Sequence, residues 1–336
     1  MAVTIRDVAK KAGVSRACVS KYLNNTPYVS KKTKRKIENA IKVLNYTPNI
    51  MARNLTRKKS NVITLIIEDI TNPFFPEIVE GVESLADSLG YRVLLINLKN
   101  KNEKAIDNYF KYILEYRADG ILSTSGNISQ KYLDSFQTKM YPIVLISVII
   151  PNTDLDCVII DNYQGAYLMT KYLLSLNHKK IAHITGDLNM QDAKDRFSGY
   201  KAALKDAGIT IKKEYTQKSD YSEMGGYSAA KRLISLKERP TAIFCANDYT
   251  AFGAINMINE ANIDVPGDIS VAGFGNIHFS GLSFVNLTTV DEPKIQLGEI
   301  ALKILIDRIN SKEEKKATQK IILEPRVIIR GTTKHL

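Results

Sequence analysis

Apolar positions in the first part of the chain recur at helical spacing. In VTIRDVAKKAG, Ile5, Val8, Ala9 and Ala12 fall at i, i+3, i+4 and i+7, which places them on one face of a helix of about three turns. Thr4 stands where it caps that helix, Asp7 completes a capping box, and Gly13 supplies the left-handed residue that ends it. After a turn of about three residues Ser15 caps a second helix, whose inward side is Cys18, Val19 and Leu23, with Val14 packing where it begins. So short a connection sets two helices roughly perpendicular. A third helix starts at Ser30, with Ile37, Ala40, Ile41 and Leu44 on one face and Lys31, Lys32, Lys34, Arg35, Lys36 and Lys42 on the other.

Beyond Tyr46 the segment TPNIMARNL offers Thr47 as a cap, Pro48 at the first helical position, and Ala52 and Leu55 on one side. It predicts a helix of about two turns, too short to be stable alone in water, which forms only when something completes it. From residue 62 the pattern changes to short apolar runs: VITLII, YRVLLINL, GILST, IVLISV, CVIID, KIAHITG, TAIFCA and ISVAGFG. Each is followed by a segment of about 10 to 18 residues, the βα repetition of parallel sheets wrapped by helices. The number of runs suits two doubly wound sheets, and ligands bind such sheets beyond the carboxyl ends of their strands.

Charge changes the picture more than composition does. The 336 residues exceed what one core organises, so two or three domains are expected. The net charge of +12 is segregated: residues 1–60 carry +13 and the remaining 276 sum to −1. A cationic head on a neutral body is the footprint of a polyanion binder, although a lysine run by itself also reads as a solvated face. The helical frame decides between them. Arg16, Ala17 and Lys21 point outward from the start of the second helix, where a helix-turn-helix reader meets base edges in the major groove. Arg16 suits guanine O6 and N7, Ala17 a thymine methyl, and Lys21 either a base or a phosphate. Ser15, Ser20, Tyr28, Ser30, Lys32 and Lys34 are assigned to the DNA backbone, where contacts position without specifying.

Other function classes are disfavoured. Cys18, Cys157 and Cys245 are odd in number and far apart, so neither disulfides nor a zinc site is expected, and a reducing cytoplasm fits best. The N-terminus has no signal-peptide core and the most apolar run, IVLISVII, is strand-sized, so neither secretion nor a membrane span is expected. No phosphate-loop, nucleophile-elbow or metal-spaced histidine pattern occurs, and His178, His183, His278 and His335 are scattered. The chain therefore reads as a non-enzyme without a cofactor. Its rivals are a cytosolic α/β enzyme carrying a DNA-binding head and a secreted solute-binding protein.

The stretches VTIRDVAKKAGVSRACVSKYLNN and VSKKTKRKIENAIKVLNYTPNIMARNLTRKKS resemble the DNA-binding head and hinge of the LacI/GalR family of bacterial transcription regulators. The resemblance implies a three-helix head over 1–47, a hinge helix and linker over 48–60, and an effector-binding and dimerisation body over 61–336. The body would be two periplasmic-binding-protein-like lobes, about 61–160 plus 292–320 and about 161–291 plus 321–336, with the chain crossing near Asp161, Asp291 and Ile321. It implies a homodimer, expected to repress, on a near-palindromic operator in double-stranded DNA. Thr4, Cys18 and Asn24 join the head's contacts, and Asn49, Ala52, Arg53 and Asn54 those of the hinge. There Leu55 is wedged into a central base step of the minor groove. Cys18 replaces the family's usual Thr and Lys21 its usual Arg, so a phosphate-binding hydroxyl is lost and a fork becomes a point charge.

For the body, the resemblance puts Asp69, Phe74 and Phe75 on the effector site, and Arg196 at the position of the family's effector-binding arginine. Asp192 lies one turn earlier on the same helix face, Tyr221 would stack and Asn247 would hydrogen-bond. Arg196 suits a carboxylate, a phosphate or paired hydroxyls, or else it is a surface arginine pairing with Asp192 or Asp195. Asn72 and Pro73 are explained by helix capping alone. Several positions depart from the family: GFGN offers Gly275 where relatives carry an effector-binding Asp, Ser147 with Val148 replaces an Asp-Arg pair, and Val285 and Asn286 stand where prolines are usual. The effector is thus a sugar, a sugar derivative such as a phosphorylated sugar, or a purine, with a protein co-regulator as the alternative.

Overall fold

The computed structural model of the chain describes residues 3–23, 29–46, 59–99, 101–116, 118–138, 141–311 and 317–336. The chain divides into two compact units, Met1–Ser60 and Asn61–Leu336. In the first, the described residues form α1 (Ile5–Ala12), α2 (Arg16–Leu23) and α3 (Lys31–Val43). The Asp7 carboxylate accepts from the Thr4 N–H at 2.9 Å and from the Thr4 hydroxyl at 2.7 Å, and Gly13 closes α1 at φ 64°. Ser15 accepts from the Cys18 N–H at 3.1 Å and Ser30 from the Thr33 N–H at 3.3 Å, which caps α2 and α3. Val8, Ala9, Ala12, Val19, Val29, Ile37 and Ala40 form the buried core. Cys18 and Leu23 are only half-buried, so Val19 carries most of the inward side of α2. The Tyr22 hydroxyl donates to Glu38 at 3.0 Å and ties α2 to α3. Asn24, Tyr28 and the hinge segment with Asn49, Ala52, Arg53, Asn54 and Leu55 lie outside the described residues.

The second unit is two six-stranded sheets. The first is built from β1 (Val62–Ile67), β2 (Arg92–Asn97), β3 (Gly120–Ser123), β4 (Ile143–Ile146), β5 (Asp156–Ile160) and β11 (Lys320–Leu323), in the order β11-β5-β4-β3-β1-β2. The second takes β6 (Ile181–Thr185), β7 (Thr216–Lys218), β8 (Ala242–Cys245), β9 (Ser270–Gly275), β10 (Thr288–Asp291) and β12 (Arg326–Ile328), in the order β12-β10-β9-β8-β6-β7. Every pairing is parallel except β10 with β12. Parallel strands must be covered on both faces, and β1, β3, β4, β6, β8 and β9 are accordingly almost wholly buried.

The covering helices are α4 (Phe74–Ser88), α5 (Glu103–Tyr116), α6 (Gln130–Thr138) and α11 (Lys294–Asn310) on the first lobe. On the second they are α7 (Asn162–Ser175), α8 (Gln191–Asp206), α9 (Glu223–Ile234) and α10 (Asp248–Glu260). Each lobe has a hydrophobic cluster on either side of its sheet, for example Ile63, Leu65, Ile78 and Leu302 against Ile66, Phe110, Ile121 and Phe136. The chain leaves the first lobe after β5 and returns after β10. Its third crossing falls beyond Leu323, because Ile321, Ile322 and Leu323 still pair with Val158, Ile159 and Ile160; the expected position, Ile321, is corrected to that extent. Among the described residues no helix is long and apolar enough to cross a membrane.

Candidate functional site

Two surfaces carry chemistry, one on each unit. On the head, Arg16, Ala17 and Lys21 are exposed on α2, and Cys18 and Ser20 are half-buried beside them. Thr4, Ser15, Ser30, Lys32 and Lys34 are exposed as well. The hydroxyls of Ser15 and Ser30 already accept cap hydrogen bonds, and Ser30 also bonds the Thr33 hydroxyl at 2.9 Å. The Thr4 hydroxyl donates to Asp7. These three side chains thus hold helix starts in place as well as facing solvent.

In the body, both sheets share the order second, first, third, fourth, fifth strand, so each reverses direction beside its first strand. Crevices open at such switch points, at the carboxyl ends of strands. The ends of β1, β3, β4, β6, β8, β9 and β10 all lead into one cleft of about 700 Å³ between the lobes. All nine body positions singled out from the sequence line it: Asp69, Phe74, Phe75, Ser147, Asp192, Arg196, Tyr221, Asn247 and Gly275. Phe74 and Phe75 meet edge to face at 5.3 Å, Phe75 being mostly committed to the core. Asp69 accepts from Thr71 and pairs with Lys99 at 3.0 Å, contacts that hold its carboxyl below the usual range against the effect of burial. Ser147 adopts φ 58° at the end of β4, a left-handed conformation that is strained for serine.

Arg196 is not a surface arginine. It is 5% exposed, and its guanidinium donates to Asn162 Oδ1 at 2.7 Å, to the Ala246 carbonyl at 2.6 Å and to Glu292 Oε1 at 2.9 Å, while lying 3.8 Å over the Phe274 ring. Neither Asp192 nor Asp195 is its hydrogen-bonded partner, which corrects the surface-pair reading: Asp192 accepts from the Tyr221 hydroxyl at 2.6 Å and Asp195 from Gln191 at 2.8 Å. Burial opposes the charge of Arg196, but Glu292, Tyr221, Asp192 and Asp248 more than offset it, so it stays a cation. Asn247 caps α10, accepting from the Thr250 N–H at 2.8 Å and donating to the Tyr221 carbonyl at 3.1 Å. Tyr221 takes φ 64° and lies so close to Gly186 that a Cβ there would meet its ring at 2.1 Å.

Several residues in the cleft wall, and Lys294 behind it, were not read from the sequence. Glu292, at the second crossing, is 2% exposed; burial pushes its carboxyl up, with Arg196 and Lys294 pulling the other way. Lys294, equally buried, donates to the carbonyls of Gly275 at 2.6 Å and Asn276 at 3.0 Å and pairs with Glu77 of α4 at 3.3 Å. It thereby fastens the end of β9 in one lobe to α4 in the other. Asp248 is buried and accepts from the Ile277 N–H at 2.9 Å and the Ser280 hydroxyl at 2.7 Å. Glu68 and Thr124 complete the first-lobe wall. The available signal was a pair of charges, Glu292 and Lys294, flanking a proline where the chain changes lobes. Gly275 sits at φ 126°, so the glycine there serves the backbone, and the carboxylate bonded to Arg196 is Glu292, the residue after β10. Among the described residues no cluster of side chains is arranged to hold a metal ion.

Comparison with known proteins agrees with this division of the chain. The family described as "Bacterial regulatory proteins, lacI family" matches residues 4–49, and "Periplasmic binding proteins and sugar binding domain of LacI family" matches 60–328. The chain is 36% identical over 334 residues to an "HTH-type transcriptional repressor PurR" of Mannheimia succiniciproducens, covering 99% of both chains. Among solved structures it is similar to the lac repressor dimer bound to operator and the anti-inducer ONPF, with TM-score 0.87 and 27% identity over 99% of this chain and 100% of that one. A LacI family transcriptional regulator from Enterococcus faecium with bound ribose matches 82% of this chain and 99% of its own, at TM-score 0.73 and 27% identity. A cationic three-helix head followed by two lobes about a polar cleft, matched along nearly its whole length, makes this chain a member of the LacI family of DNA-binding transcriptional regulators.

Proposed function

We propose that the protein is a cytoplasmic repressor that binds a near-palindromic operator as a homodimer and whose affinity is set by a small molecule in the interlobe cleft. The observation that carries this reading is the pairing, in one chain, of Arg16, Ala17 and Lys21 exposed on a capped second helix with a polar cleft at the switch points of two sheets. The names of its relatives support it: one is a repressor, one a dimer bound to operator, one a regulator holding ribose. Arg16 reads a guanine, Ala17 a thymine methyl, and Lys21 a base or a neighbouring phosphate; Ser15, Ser20, Ser30, Lys32 and Lys34, with Thr4 and Cys18, follow the backbone. Two heads are needed because a single one makes too few contacts for a specific site. Leu55 enters the minor groove, with Asn49, Ala52, Arg53 and Asn54 of the hinge around it.

In the cleft, Asp69, Phe74, Phe75, Ser147, Asp192, Tyr221, Asn247 and the Gly275 backbone surround a sugar, a sugar derivative or a purine, with Arg196 at its floor. Ligand held by both lobes favours one spacing of the two heads, which is how occupancy reaches the operator. Selection from a random double-stranded library tests the DNA half. Wild type should enrich a two-fold symmetric site, and Arg16→Ala should lose about 1–3 kcal/mol of discrimination at one base pair per half-site. An unchanged profile for that variant would remove Arg16 from base reading. Thermal stabilisation by a panel of sugars, nucleosides and purines tests the other half, since ligand at about 100 times its Kd adds about 2.7 kcal/mol.

A further inference from the structure

The charge balance of the cleft points to the kind of ligand it holds. Among the described residues that line it, seven are carboxylates and only three are cations. Each cation already has a carboxylate: Lys99 with Asp69 at 3.0 Å, Lys218 with Asp187 at 3.1 Å, Arg196 with Glu292 at 2.9 Å. Asp248 is satisfied internally by Ile277 and Ser280 and Asp220 by Ser222. That leaves Glu68 at the end of β1 in one lobe and Asp192 at the start of α8 in the other, bonded only to the neutral hydroxyls of Ser125 at 2.9 Å and Tyr221 at 2.6 Å. Burial raises the Glu68 carboxyl and the charge of Asp192 raises it further, so the two feel one another across the cleft.

A second observation is independent of charge. Two buried side-chain oxygens in the cleft wall have no hydrogen-bond partner: Glu292 Oε2, in a residue 2% exposed, and Thr124 Oγ1, in a residue 7% exposed. Buried polar atoms are normally paired, and an unpaired carboxylate oxygen is the costlier kind to leave so. Both belong to strand ends that open into the cleft, one from each lobe.

We propose that the cleft takes a cationic small molecule, whose protonated amine lies against Glu68 and Asp192 while a neighbouring N–H or O–H donates to Glu292 Oε2. The inference deepens the effector reading above and rests on it. A phosphate or carboxylate on the ligand would add negative charge where each described lining cation already has a carboxylate, and a neutral polyol would leave Glu68 and Asp192 with no cation bonded to either. Amine and donor together answer the carboxylate surplus and the unpartnered Glu292 oxygen.

The test uses the full chain at pH 7 and low salt, with triplets that share one skeleton: glucose, glucosamine and glucose 6-phosphate; galactose, galactosamine and galactose 6-phosphate; pentane-1,5-diol, cadaverine and glutarate. Within at least one triplet the amine should bind ten times more tightly than its neutral counterpart, by thermal shift and calorimetry. The preference should shrink to about twofold in the Glu68→Gln, Asp192→Asn double variant. Neutral or anionic members binding as tightly as the amines would overturn the proposal, as would binding of ribose or hypoxanthine with no amine binding; either leaves the small-molecule reading intact. No stabilisation by any neutral, cationic or anionic compound overturns both. A measurement without ligand stands beside it: burial raises the Glu68 carboxyl, so Glu68→Gln should raise the Tm by about 2 °C at pH 7, a gain that shrinks as pH falls and the carboxyl is protonated first in the folded and then in the unfolded state. An equal or lower Tm at pH 7 would count against it.

Discussion

Arg196 shows how much the surroundings of one side chain decide. On a helix surface it would be a replaceable charge; here it is enclosed, and Glu292 is enclosed with it. Removing one member of a buried pair strands the other, so Arg196→Met should cost about 3–5 kcal/mol in urea unfolding. The Arg196→Met, Glu292→Gln double variant should recover at least half of the loss, and failure to recover would show that the ion pair is not the cause. Loss of effector response in an Arg196 variant therefore has to be read against its stability. His183 is a buried group of another kind. Its Nδ1 lies 2.8 Å from the Phe244 carbonyl, which can only accept, so Nδ1 carries the proton and Nε2 is left as an unpartnered acceptor among Phe197, Tyr200 and Phe244. Burial pushes its pKa down to about 4 from 6.5. The folded state therefore refuses a proton that the unfolded chain accepts. Stability from this residue is complete above about pH 6.5 and is lost as pH falls towards 4, on the order of 3 kcal/mol in all. The stability difference between wild type and His183→Phe should shift by that amount between pH 7 and 4; a constant difference would exclude the effect.

At the scale of elements, three helix pairs approach closely enough that only glycine fits. A Cβ at Gly199 of α8 would meet the Tyr163 carbonyl of α7 at 2.1 Å, and one at Gly253 of α10 the Glu223 carbonyl of α9 at 1.8 Å. Gly81 of α4 stands 2.3 Å from the Ile295 carbonyl of α11 by the same measure. Backbone cannot give way as a side chain can. Gly199→Ala should push α8 off α7, destabilise the body by about 1–3 kcal/mol and carry Asp192 and Arg196 out of register with the cleft. Ligand binding measured by calorimetry should weaken in parallel, and an unaltered affinity would mean that α8 absorbs the shift. Strands were unevenly legible. The eight apolar runs are β1 to β6, β8 and β9; β7 and β10 are polar, while β11 and β12 carry only short apolar stretches, Ile321–Leu323 and Val327–Ile328, beside Lys320, Glu324 and Arg326. Thr216–Lys218 is polar because it lies at an edge, and Thr288 and Thr289 are buried threonines whose hydroxyls find partners, Thr288 bonding the Arg330 carbonyl at 3.2 Å and Thr289 bonding Asp248. Their pairing depends on a sheet already present beside them.

For the whole molecule, the separation of charge separates the tasks. All of the surplus positive charge belongs to the head, so affinity for DNA should fall steeply with salt, with a log–log slope of several units, through release of counterions. Neutralising Lys32 and Lys34 together should reduce that slope by about 2 and weaken binding to all sequences alike, measured by anisotropy from low to moderate salt. Cleft variants such as Glu68→Gln should leave the slope unchanged. A slope that stays flat in wild type would undo the electrostatic account of the head.

The chain by itself determined whatever depends on near neighbours and on totals: helices from apolar spacing, their caps at Thr4, Ser15 and Ser30, most strands, and a cationic head on a neutral body. The positions that line the cleft came from the resemblance to the LacI/GalR family, and several of them, Asp69, Ser147, Asn247 and Gly275, stand at strand ends that any doubly wound sheet brings together. Only the tertiary structure decided which charges meet. Arg196 and Glu292 are 96 residues apart, Glu68 and Asp192 come from different lobes, and Lys294 of one lobe donates to the Gly275 carbonyl of the other. Charge pairing is a matter of ångströms and of burial, and both follow from strand order and lobe closure, which no local pattern encodes.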